Sequence, residues 1–198
     1  MNIPIRELAT QIHETARQKG WWPDGGRNPE ELTMLIISEL AEGMEEARHP
    51  KFKAQLIYCS ALGEERRPWP SQDNDPRKPE GLPIELADAT IRILDTAMGL
   101  GYKIPDTTLD TLITHSKSNT CVSCWPFSYS RSIDNVGAML LAVSRAALYS
   151  HQHSHDTWGV LHSIATMCLR LDINLEDAIR IKMQYNRTRP VRHGGKLA

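Results

Sequence analysis

The chain has 198 residues, 23 Lys and Arg against 24 Asp and Glu, a formal net charge of -1, and 40% hydrophobic residues. That length and composition fit one globular domain with its own apolar core, and they exclude collagen-like, highly charged disordered and disulfide-built chains. The near-neutral balance gives no sign of a nonspecific nucleic-acid binder, so no stable nucleic-acid partner is expected.

The N-terminal stretch lacks a basic region followed by an apolar run, and no segment is long and apolar enough for a membrane span. A cytoplasmic protein with no membrane partner is the expectation. Ile5, Leu8, Ile12 and Ala16 recur at helical spacing and predict a first helix over 5–19, stopped at Gly20. Trp21, Trp22, Pro23 and Asp24 then read as a loop, whose indoles are candidate base-stacking groups or core anchors. Asn28-Pro29-Glu30-Glu31 opens a second helix reaching about Arg48, with Asn28 as cap and Glu31 completing a capping box. Leu32, Ile36, Leu40, Gly43 and Ala47 form its apolar stripe, and Glu39, Glu42 and Glu46 run beside it.

Residues 51–81 read as an irregular crossing rich in proline, with a short helix around 52–62 and no strands. Pro83 opens the next helix, ending near Gly99 or Gly101. Ile84, Ala87, Ile91, Leu94 and Met98 face its core side, while Glu85, Asp88, Arg92 and Asp95 lie on an adjacent face. Further helices are expected over 106–115, 133–150, 157–171 and 175–187, with Asp156 and Asn174 capping the last two. The fold class is all-α: an antiparallel helical bundle with additional helices and a long crossing loop.

Chemistry concentrates in two pairs, Glu39-x-x-Glu42 and Glu85-x-x-Asp88. Residues three apart on a helix project from one side, so two antiparallel helices could bring four carboxylates together. Such a cluster is electrostatically costly without a cation, and Mg²⁺ prefers hard oxygen ligands. A solvated acidic face is the competing reading. Asp95 either adds a ligand or holds Arg92. Lys182 and Asn186 sit four apart on the last helix and share a face; Arg187, Arg189, Arg192 and Lys196 make the tail basic. Lys78 precedes the Glu85 helix and could approach phosphate. Cys121-x-x-Cys124 with His151, His153 and His155 does not reproduce a convincing zinc finger, and His162 reads as a core or interface histidine.

The blocks LIISELAEGMEEAR (35–48), KPEGLPIELADATIRILD (78–95) and IKMQYNRTRPVRHGGK (181–196) resemble the MazG-like nucleoside triphosphate pyrophosphohydrolases of the all-α NTP pyrophosphatase superfamily. The resemblance implies that superfamily's bundle over 1–187, with insertions at about 49–81 and 105–132 and a basic tail over 188–198. It implies Mg²⁺, with Mn²⁺ as a substitute, and hydrolysis of an NTP or dNTP to the monophosphate and pyrophosphate. Metal ligation falls on Glu39, Glu42, Glu85 and Asp88. Glu42, Lys182 and Asn186 take catalytic roles. Phosphate contacts fall on Lys78, Lys182, Tyr185, Asn186, Arg189, His193 and Lys196, while Trp21 and Trp22 are the base-site candidates. A homo-oligomer is implied, a dimer ahead of a tetramer, in a nucleotide-pool or phage setting. The rival readings are a related hydrolase cutting at another phosphate, and a noncatalytic nucleotide-sensing or RNA-binding module.

Overall fold

The computed structural model describes residues 3–24, 26–49, 55–59, 66–68, 77–117 and 136–195. The described residues are predominantly helical. In chain order they form α1 (Ile5–Gln18), α2 (Pro29–Ala47), β1 (Ile57–Cys59), β2 (Arg66–Pro68), β3 (Pro79–Glu80), α3 (Leu82–Leu100), α4 (Leu109–Lys117), α5 (Val136–Tyr149), a π-helical turn (Ser150–Ser154), α6 (Trp158–Arg170), α7 (Leu175–Thr188) and the single turn α8 (Arg192–Gly195).

The helix starts follow the side-chain chemistry of the sequence. Asn28 Oδ1 accepts the Glu31 N–H at 2.8 Å, and Asn174 Oδ1 accepts the Asp177 N–H at 3.2 Å. Asp156 Oδ1 accepts from the Trp158 N–H at 3.0 Å. The Glu31 carboxylate differs from the capping-box expectation by pairing with Arg27 Nη2 at 3.1 Å.

The crossing differs from expectation as well. In place of the helix expected near 52–62, residues 57–59 form the central strand of a small antiparallel sheet of order β2-β1-β3. Pro68 and Pro79 fall on the two outer strands, the positions in a sheet where proline is best tolerated. The sheet delivers the chain to α3 through Gly81, whose φ is +98°. A Cβ there would lie 2.5 Å from the Gln55 carbonyl oxygen, so both the backbone conformation and the space require glycine.

Helix α3 is the centre of the bundle, packed by α1, α2, α6 and α7. Leu82, Ile84, Leu86, Ala89, Ile93 and Leu94 are all buried, so α3 is covered nearly all round, with its charged face turned to the cleft. Gly43 of α2 lies against Leu82 and Glu85, and Glu39 reaches Arg92, so α2 and α3 run antiparallel. The remaining core joins α1, α4, α5 and α6 through Leu8, Leu112, Val143 and Ile164. Among the described residues no helix is long and apolar enough to cross a membrane.

Candidate metal centre

The antiparallel α2–α3 pair brings Glu39, Glu85 and Asp88 together: one carboxylate oxygen from each lies within 4.8 Å of the other two. Glu39 and Glu85 are buried, at 6% and 7% exposure. Glu42 does not join this trio. It is exposed, but it lines the same cleft and its charge acts on Glu85. Two cations answer the three carboxyls. Arg92 Nε donates to Glu39 Oε1 at 2.6 Å, and Lys182 Nζ of α7 lies 2.5 Å from Asp88 Oδ2.

The balance of these charges decides the protonation of the site. Burial pushes the Glu85 carboxyl up to about 8, with the Asp88 charge acting in the same direction and Lys182 opposing it. Burial likewise raises Asp88, against the pull of Lys182. With Glu85 protonated, Glu39 and Asp88 are matched one for one by Arg92 and Lys182. Three ionised carboxylates would instead leave one negative charge unmatched in a buried site. A divalent cation would turn that unmatched negative charge into a net positive one, and three hard oxygen donors on two packed helices could hold it.

The trio stands at one end of a cleft of about 380 Å³. Lys182, Asn186 and Arg189 of α7 and its end line one side, and Lys78 another. Lys78 Nζ bonds Glu80 Oε1 at 2.8 Å. Tyr185 lies under two cations, with Lys182 Nζ at 5.9 Å and Arg189 Cζ at 5.8 Å from its ring centre. Farther along, the cleft is walled by Ile12, Ala16, Leu32, Leu35 and Ile91. Among the described residues, two buried side-chain polar atoms lack a hydrogen-bond partner, Arg27 Nε and Asn186 Oδ1, and both residues line this cleft. Natural proteins rarely leave such atoms orphaned, and each costs about 1–3 kcal/mol.

The two indoles part company. Trp21 lines the cleft, whereas Trp22 does not. Trp22 Nε1 donates to Asp95 Oδ1 and Oδ2 at 2.9 and 3.0 Å, and its ring closes over Gly99. His13 Nδ1 meets the same carboxylate at 2.7 Å. Asp95 therefore anchors the loop after α1 instead of holding Arg92, which goes to Glu39. The basic tail is tied down in part. Lys19 Nζ donates to the Arg187 and Arg189 carbonyls at 2.8 and 2.5 Å, and Arg192 Nε donates to the Gly20 carbonyl at 3.1 Å. The His193 side chain and all of Lys196 lie outside the described residues, as do Trp69, Cys121, Cys124 and Trp125.

Elsewhere histidines pack on aromatic rings. His151 Nδ1 is 3.1 Å from the Tyr102 hydroxyl, His155 stacks on Tyr102 at 4.7 Å, and His162 is buried beside Trp158. Among the described residues no histidine joins a group able to hold a metal.

No family model, curated protein or solved structure matches the chain. The site thus stands on its own geometry.

Sequence reasoning missed Arg27, Arg92 as a ligand-holding cation, and Lys19. Arg92 had a visible signal, four residues after Asp88 on one face of α3. Arg27 had none, because a loop arginine has no periodicity to place it.

Proposed function

We propose that the chain is a divalent-cation-dependent hydrolase that cuts a nucleoside or deoxynucleoside triphosphate into the monophosphate and pyrophosphate. The observation that carries this reading is the trio Glu39, Glu85 and Asp88, gathered from two antiparallel helices at the head of a cleft bordered by Lys182 and Asn186. The resemblance of segments 35–48, 78–95 and 181–196 to the MazG-like enzymes supports the same chemistry.

In this reading Glu39, Glu85 and Asp88 hold the cation, Mg²⁺ or Mn²⁺, which when bound neutralises phosphate oxygens and makes a water more acidic. Lys182 and Lys78 add positive charge along the triphosphate. The orphaned Asn186 Oδ1 accepts from a sugar hydroxyl or from the water. Glu42, outside the trio but lining the cleft, is the proposed acceptor of a proton from that water. Water oxygen bonds to the α phosphorus, the bond to the α–β bridging oxygen breaks, and pyrophosphate leaves with that electron pair. Arg189, Tyr185 and the tail residues His193 and Lys196 are proposed to close over the phosphates. Trp21 is the remaining indole for the base, Trp22 being engaged with Asp95.

The test is a panel of common NTPs and dNTPs with Mg²⁺, measuring both products. Equal release of monophosphate and pyrophosphate is expected. Orthophosphate as the sole phosphate product would overturn the cleavage position. RNA binding without turnover would replace the enzyme with a helical binding module.

A further inference from the structure

A buried arginine at the far end of the cleft has a nitrogen with nothing to bind. The Arg27 side chain is only 5% exposed, its Nη2 is taken by Glu31 at 3.1 Å, and its buried Nε has no acceptor. Its position along the bundle is set by its neighbours. Glu31 precedes Glu39 by eight residues on α2, and Asp95, whose carboxylate feels the Arg27 charge, follows Asp88 by seven on α3. At about 1.5 Å rise per residue, Arg27 lies roughly 10–12 Å from the acidic trio. Leu32, Leu35 and Ile91 line the intervening stretch, and α1 faces it with Ile12, Thr15, Ala16 and Lys19.

That end is poorly built for another phosphate. Glu31 pairs with the arginine and Asp95 lies near it, so a further anion would meet two carboxylates, while the Lys19 ammonium is given to the Arg187 and Arg189 carbonyls. A flat heterocycle fits the same surroundings, burying its faces and offering its edge. The Nε–H requires an acceptor at that edge. N7 accepts in both purines, but guanine carries the acceptor O6 where adenine carries an amino donor, so a bond to O6 discriminates.

We propose that Arg27 is a specificity-determining residue that donates Nε–H to O6 of a guanine base, selecting guanine over adenine nucleotides. The assignment rests on the reading of the cleft as a nucleotide site, but not on where the phosphate chain is cut.

The decisive experiment is calorimetric titration of the full chain, free of metal, with dGMP and with dAMP. Wild type is expected to bind dGMP at least about tenfold more tightly. Arg27→Gln should weaken dGMP to the level of dAMP and leave dAMP unchanged. Arg27→Lys keeps the cation near Glu31 but cannot reproduce the Nε geometry, so it should lose the preference too. It serves as the deciding variant if far-ultraviolet circular dichroism shows Arg27→Gln unfolded. Equal affinity of wild type for both nucleotides, absence of binding to either, or equal weakening of both by the variants would overturn the proposal. Release of pyrophosphate from dATP and dGTP at equal kcat/KM would sink the base assignment while leaving the hydrolase intact. Selective dGMP binding without turnover would do the reverse.

Discussion

Asp88 and Lys182 form a contact whose two halves are each expensive to leave alone. Their side chains are 15% and 6% exposed, so neither charge is well hydrated. Replacing a carboxylate by its amide keeps shape while removing a ligand charge. Glu39→Gln and Asp88→Asn are therefore expected to reduce Mg²⁺-dependent turnover at least about a hundredfold with helicity near wild type. Steady-state kinetics and circular dichroism check both halves of that expectation. Glu85 gives a pH signature. Its folded value of about 8 exceeds the ordinary 4.5, so the folded chain keeps a proton that the unfolded chain releases between those values. Stability of the metal-free protein should thus fall as pH rises from about 4.5 to about 8 and level off above. Melting in chelator across that range should show the slope, and Glu85→Gln should flatten it. At this scale the sequence was informative where residues repeat along a helix. Glu39, Glu85 and Asp88 were legible from i,i+3 spacing. The departure of Glu42 was not, because burial of one member of a pair depends on the neighbouring helix.

At the scale of elements, caps and stripes placed the helices well, and Asn28 and Asn174 do what their positions imply. The strands were not legible, since two or three residues are too few for any alternation to register. The join between α1 and α3 was hidden for a different reason: it depends on one indole meeting a glycine. A Cβ on Gly99 would lie 1.9 Å from Trp22 Cη2. Gly99→Ala must displace that ring and disturb its bonds to Asp95. It should lower stability by about 1–3 kcal/mol. A shift of tryptophan fluorescence accompanying a lower Tm would show that the ring has moved.

At the scale of the whole molecule, the bundle leaves apolar side chains facing outward. Leu141 and Tyr149 of α5 are 51% and 62% exposed, and Met34 of α2 is 59% exposed. Since α2 and α5 pack together, these side chains are candidates for the interface of the homo-oligomer that the resemblance implies. Leu141→Glu is expected to shift the sedimentation coefficient toward the monomer without loss of helicity; an unchanged value would take α5 out of the interface. The predominantly helical class was readable from periodicity along the chain. The assembly of the cleft was not, because Lys182 and Lys19 act across long sequence separations.

That separation has a consequence for how the protein reaches its native state. Lys182 reaches Asp88 from α7, so if α2 and α3 pair first, Glu39, Glu85 and Asp88 gather before the ammonium group that answers Asp88 arrives. Late docking of α7 is then the step at which mutual repulsion is relieved. Protons or divalent ions present early would stand in for Lys182 and hasten refolding, whereas chelation at alkaline pH would retard it.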